Sequence, residues 1–151
     1  MKNIIYLQVS LLLLLSLSFG CQKYDEGGRI CKADATVTQH SWGLDRYFRN
    51  GNDETLLVLI SNLSETYSDA GVVVRNYIDI EGESVSNSGE WALNEEFTQI
   101  ILSGLSSMEW SEENSTISSS HYNIIKLTND EFWYSYENGG DFHEFHFIPN
   151  D

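Results

Sequence analysis

Basic residues are scarce in this chain. Eight lysines and arginines stand against 23 aspartates and glutamates, a formal net charge of −15. A field of that sign repels phosphate backbones, which excludes nucleic acid as a partner, and it repels anionic lipid surfaces too. Acidity on this scale serves solubility first, while cationic ligands and divalent ions stay open. Proline occurs once, at Pro149, where no ladder bond is needed. The two cysteines, Cys21 and Cys31, are too few for a disulfide scaffold, so the fold must rest on its core. No amphipathic helical stretch of useful length occurs. Nor is there a Gly-Xaa-Ser-Xaa-Gly elbow, a phosphate-cradling glycine loop or a dinucleotide fingerprint. With no catalytic constellation to name, the protein is not expected to be an enzyme, and no cofactor is implied.

What is present begins with an export signal. Met1-Lys2-Asn3 is a short basic head, and Ile4 to Phe19 is apolar around the run Leu11–Leu15. The apolar stretch holds 16 residues, among them Gln8 and Ser10. A membrane-spanning helix needs roughly 20, so a cleaved signal is the better reading than an uncleaved anchor. The sequence Ser18-Phe19-Gly20-Cys21 resembles a bacterial lipoprotein signal, in which a small residue precedes the cysteine that receives lipid. That resemblance implies removal of residues 1–20 and fatty acylation of Cys21. It also implies anchorage to the outer membrane, on its periplasmic or surface face. Each buried methylene contributes about 0.8 kcal/mol, so several acyl chains hold durably where one holds marginally. The alternative is an ordinary signal cut nearby, leaving Cys21 a plain thiol. If Cys21 is lipidated, Cys31 is free or paired with another chain. If it is not, a Cys21–Cys31 bridge closes a short N-terminal loop.

Without Lys2 seven basic residues face 23 acidic ones, a net charge of −16. Residues 21–38 are polar, contain Gly27-Gly28 and show no sustained periodicity, so they read as a tether. The pair Asp25-Glu26 is similar to signals that send lipoproteins to the cell surface, with a solvated linker as the plain alternative. The domain proper is expected over 39–151. Short runs of Tyr, Phe, Trp, Ile, Val and Thr fall at 42–49, 55–67, 72–79, 85–93, 98–103, 118–127, 131–137 and 142–148. Asn50-Gly51 and Asn138-Gly139-Gly140 supply turn residues that tolerate positive φ. Phe132, Tyr134 and Tyr136 alternate with Trp133, Ser135 and Glu137, as in a half-buried antiparallel strand. Leu56–Ile60 is apolar on both faces, so it should be covered on both sides or lie near a barrel end. A short helix or loose turn is expected within Ser103–Asn114. Eight short strands suggest an all-β, eight-stranded antiparallel up-and-down barrel, or a sandwich; closure is favoured because it removes exposed edges.

Several motifs recur in order: Trp42-Gly43-Leu44-Asp45-Arg46-Tyr47, the turn Asn50-Gly51-Asn52-Asp53, Gly89-Glu90-Trp91-Ala92-Leu93, Gln99-Ile100-Ile101-Leu102, Tyr122-Asn123-Ile124-Ile125-Lys126-Leu127-Thr128 and Glu131-Phe132-Trp133-Tyr134. Together they make Ser41 to Pro149 resemble the lipocalin-like domains of lipoproteins from Gram-negative bacteria. The resemblance implies a lipocalin-like barrel with a cup for a small hydrophobic or amphipathic ligand, and a monomer. The step from fold to function is analogy. A filled barrel acting as a surface or periplasmic protein-interaction module is the alternative.

The candidate interior is Trp42, Leu44, Arg46, Trp91, Phe132, Tyr134, Tyr136, Phe145 and Phe147. Aromatics bury large area in any small barrel, so a packed core competes with a pocket. A pocket needs mostly apolar walls and a few placed polar groups, here Tyr hydroxyls, Arg46 or Arg75. Arg46 lies in step with Trp42 and Leu44 and is expected to point inward, where it would need an acidic partner or a ligand. His143 and His146 fall on opposite faces of a strand, so they read as surface or rim histidines and not as metal ligands. Asp79, Glu81 and Glu83 read as a solvated hairpin tip, as does Asn52-Asp53-Glu54.

Overall fold

The computed structural model describes residues 22–105 and 121–150. The expected signal over 1–20, Cys21 and most of the turn expected within Ser103–Asn114 lie outside the described residues.

The alternating runs become nine described strands: β1 (Ser41–Arg49), β2 (Asn52–Asp53), β3 (Ser61–Tyr67), β4 (Val72–Ile78), β5 (Ser84–Leu93), β6 (Gln99–Ser103), β7 (His121–Leu127), β8 (Phe132–Asn138) and β9 (Asp141–Pro149). From β3 onward each pairs antiparallel with its successor, β1 pairs with β3, and β9 returns to β1. Eight strands thus close an up-and-down barrel, with β2 an extra two-residue ribbon on β1. Closure leaves no long edge to pair with another chain.

Burial follows the pleat. Along β5 the outward Ser84, Ser86, Ser88 and Glu90 are exposed, while Val85, Asn87, Gly89, Trp91 and Leu93 are half-buried. On β9 His143, Phe145 and Phe147 turn inward, and Glu144 and His146 turn outward. Polar residues outside and apolar ones inside are the reverse of a lipid-facing barrel. The turn after β1 uses two residues at positive φ, Asn50 (50°) and Gly51 (79°), as a tight hairpin requires. Asn50 also binds across to β9 through the Phe142 amide (2.9 Å) and the Asp141 carboxylate (2.7 Å).

Among the described residues strands begin within a residue of where expected, with one main exception; the start of the run read as 118–127 lies outside them. The run read as 55–67 starts as a strand only at Ser61. Before it Thr55–Leu57 forms a 3-10 turn, with Leu56 98 % exposed and Leu57 61 %. This segment links β1 to β3 and so lies at a barrel end, the second of the two placements its composition allowed.

The other end is closed by the segment read as a tether, and there the structure corrects that reading. From Gln22 onward it packs on the barrel. Helix α1 (Ala33–Val37) buries Ala33 and Val37 completely, and Tyr24 is 6 % exposed. The Val37 carbonyl accepts the Trp42 indole N–H at 2.8 Å, and the Tyr24 hydroxyl donates to the Phe97 carbonyl at 2.6 Å. The reason lies in β7. Strand β6 pairs with it only over His121–Asn123, leaving Ile125 to Leu127 without a β6 partner. The strap supplies one: Glu26 N–H donates to Ile125 and Leu127 N–H to Gly27, both at 3.1 Å. Gly28 passes so close that a Cβ there would sit 1.7 Å from the Leu127 carbonyl oxygen. Three buried apolar side chains, Tyr24, Ala33 and Val37, in a polar stretch are too few to show a period.

Candidate functional site

The barrel wall brings polar groups into an aromatic interior. Trp42, Glu65, Arg75 and Asn87 are successive partners across β1, β3, β4 and β5. Glu65 is 1 % exposed and Arg75 4 %. Arg75 donates to Glu65 Oε1 through Nε at 2.8 Å and through Nη2 at 2.6 Å. The second carboxylate oxygen, Oε2, accepts from the Tyr134 hydroxyl at 3.1 Å and from the Tyr67 hydroxyl. Tyr122 accepts a hydrogen bond from Arg75.

Two charges out of water carry a desolvation cost of several kcal/mol each, offset only where geometry and further hydrogen bonds are good. Both carboxylate oxygens are engaged here. Burial pushes the Tyr67 and Tyr134 hydroxyls well above the usual phenol range, and the Glu65 charge adds to the effect. Tyr122 is pushed up to about 12, again chiefly by burial. Burial works against the Arg75 charge, but the Glu65 carboxylate and neighbouring tyrosines outweigh it, so its pKa is raised. All three phenols therefore stay neutral at physiological pH, and Tyr67 and Tyr134 remain donors to Glu65. One group next to this network is not satisfied: Asn87 Nδ2 is buried without a hydrogen-bond partner.

A second cluster lies further along β8 and β9. The Tyr47 hydroxyl and His143 Nδ1 share a 2.7 Å hydrogen bond, and Tyr136 lies flat on the imidazole, 4.7 Å away at 8°. Burial lowers the pKa of His143, favouring the neutral ring. His143 is 2 % exposed, which corrects its reading as a rim histidine. His146 does face out, stacked on Trp133 at 3.7 Å. The Asp79–Glu83 segment is a turn in which the Asp79 carboxylate accepts the Glu81 and Glu83 amides, both at 2.9 Å.

Of the expected interior residues, Trp42, Phe132, Tyr134, Tyr136, Phe145 and Phe147 are buried. Leu44 and Trp91 are half-buried against the same core. Arg46 is the error. A β-bulge between Leu44 and Arg46 shifts the register, so Tyr47 takes the inward position and the Arg46 side chain is 59 % exposed, beside Asp45. The buried cation is Arg75, and its partner Glu65 was missed. The signal was available: Glu65 is in step with Leu63 and Tyr67, and Arg75 with Val73 and Tyr77. Cys21 lies outside the described residues.

No family model matches the chain, and no curated protein matches it. Among solved structures it is similar to a lipocalin-like protein from Bacteroides uniformis, at 12 % identity over 75 % of this chain and 98 % of that one, with a TM-score of 0.49. It is similar to japanin from Rhipicephalus appendiculatus bound to cholesterol, at 9 % identity over 76 % and 77 %, with a TM-score of 0.49. It is also similar to lobster apocrustacyanin A1, at 12 % identity over 87 % and 74 %, with a TM-score of 0.43. Values this low transfer no binding property to this chain.

Proposed function

We propose that this protein is an exported barrel, held on a membrane by lipid on Cys21, that takes a small hydrophobic or amphipathic ligand into its interior. One observation carries the ligand reading: the Glu65–Arg75 pair and its tyrosine hydroxyls are buried among aromatic walls, and beside them Asn87 keeps a buried donor without a partner. A barrel built only for stability gains little from such a pair, since apolar side chains of similar volume serve as well or better. Apolar walls with a few placed polar groups suit a ligand with an apolar body and one oxygen acceptor.

The second reading, a filled interaction module, draws on Trp42, Ile100, Phe132 and Phe147, none of which retains exposed surface. Native mass spectrometry of gently purified protein separates the two. A retained adduct that Asn87→Leu releases supports the cup. A clean apo mass, with tryptophan fluorescence unchanged by every lipid tried, defeats it.

The anchor rests on the signal sequence. A sulfur in a thioether to lipid cannot also be in a disulfide, and the chain has no third cysteine. Lipidation of Cys21 and a Cys21–Cys31 bridge therefore exclude each other. Intact mass with and without reductant decides: acyl mass on the N-terminal peptide supports the anchor, and a Cys21–Cys31 peptide pair in the mature protein overturns it.

A further inference from the structure

The strap and the β7–β8 turn flank an open cleft of about 340 Å³ at the closed end of the barrel, bordered by Gly28, Arg29, Lys32, Thr36, Thr128 and Asp130. That volume is at the lower end of the range for small-molecule sites. Its cations differ from those of the barrel wall. Each cation of the barrel wall has a carboxylate partner: Arg46 with Asp45 (3.8 Å), Arg49 with Glu54 (2.9 Å), Arg75 with Glu65 (2.6 Å) and Lys126 with Glu131 (2.5 Å). In a chain with 23 acidic residues and eight basic ones, that is what chance alone favours. Arg29 and Lys32 nevertheless enter no ion pair among the described residues, with each other's neighbour Asp130 or with any other carboxylate.

The cleft is also held in shape. Gly28 sits against the Leu127 backbone, where no side chain fits, and the Thr36 hydroxyl donates to the Lys32 carbonyl at 2.9 Å, fixing the turn that carries Lys32. The Thr128 hydroxyl accepts the Asp130 and Glu131 amides at 3.3 and 3.1 Å, fixing the opposite wall. The two positive side chains thus stand on one wall and an uncompensated carboxylate on the other.

We propose that this cleft binds a zwitterionic group, an anionic phosphate or carboxylate received by Arg29 and Lys32 and an amine received by Asp130. Guanidinium and ammonium groups give charge-assisted hydrogen bonds to such an anion. The same chemistry occurs in a free solute and in a phospholipid headgroup. The site is separate from the barrel interior and does not depend on the lipid anchor.

The test uses the purified protein with phosphoethanolamine, inorganic phosphate, and vesicles of phosphatidylcholine with and without phosphatidylethanolamine. Saturable binding of phosphoethanolamine by calorimetry is expected, weakened at least about tenfold in R29Q/K32Q, which removes both positive partners of the anion. Asp130→Asn should erase the preference for phosphoethanolamine over inorganic phosphate. Both sets of side chains are exposed, so circular dichroism should show these variants folded. A gain on phosphatidylethanolamine vesicles that R29Q/K32Q loses, with the N-terminus unchanged, assigns the site to a headgroup; binding of the free compound without that gain assigns it to a solute. No saturable binding in either arm, or equal binding by R29Q/K32Q, overturns the proposal.

Discussion

Replacing Glu65 by glutamine and Arg75 by methionine, singly and together, probes the one buried ion pair described in the barrel. In Arg75→Met the carboxylate stays in the interior with two tyrosine hydroxyls and no counter-ion. In Glu65→Gln the guanidinium is the uncompensated charge. Breaking one side of a buried pair costs about 3–5 kcal/mol. Domains of this kind hold about 5–15 kcal/mol in total, so either single variant approaches unfolding. At about 3–5 °C per kcal/mol for a chain of this length, each should lower Tm by roughly 10–20 °C. The double variant buries no charge, and its stability should return to within about 1–2 kcal/mol of the original. Urea unfolding, followed by tryptophan fluorescence and far-ultraviolet circular dichroism, yields all four corners of the cycle. Arg46→Met is the control, expected within about 0.5 kcal/mol of the parent because that side chain is exposed. Single variants that each cost under about 1 kcal/mol, and add in the double, would describe a solvated pair and refute the burial argument.

Alkaline pH should unfold the barrel from within. Tyr67, Tyr134 and Tyr122 have folded-state pKa values above the ordinary 10.0, so their contribution is complete below pH 10 and is lost as pH rises beyond it. Tyrosinate absorbance should show a subset of the tyrosines protonated until circular dichroism collapses; smooth titration of every tyrosine near pH 10 in a folded protein contradicts this. Gly28→Ala should detach the strap, seen as faster amide exchange at Glu26 and Leu127, whereas Gly82→Ala, also at positive φ but in open space, should cost only about 1 kcal/mol and leave the strap in place. Trp42→Phe strands the Val37 carbonyl that the indole satisfied and should cost about 1–3 kcal/mol by thermal denaturation, more than the lost ring area alone predicts.

Much of this architecture is legible in the sequence because period-two alternation and turn residues are local properties. Phe132, Tyr134 and Tyr136 announce both their strand and its inner face, and Asn50-Gly51 announces its turn. Register is less secure. A single bulge after Leu44 exchanges the faces of Arg46 and Tyr47, and nothing in Leu44-Asp45-Arg46 marks it, since a bulge depends on the partner strand. Glu65 and Arg75 are ten positions apart and meet only because β3 and β4 pair as they do. The alternation placed each of them inward; a charged residue inside a barrel reads as an exception unless its partner is sought at the same time. The strap shows the limit of composition. Tyr24, Ala33 and Val37 look incidental in a polar stretch until the uncovered length of β7 is known.

The first and last strands of the barrel are neighbours, and β1 and β9 pair over most of their length, from Trp42 with Pro149 to Arg49 with His143. No shorter stretch beginning at the N-terminus can complete the wall. During synthesis the growing chain presents a string of unmatched extended segments until its final nine-residue strand emerges, and pairing across such sequence distance is slow. A polypeptide of this design stays pliable, and open to being threaded through a narrow passage, for longer than one whose halves fold on their own. It is also exposed to proteolysis throughout that interval, and loss of β9 would reopen the seam.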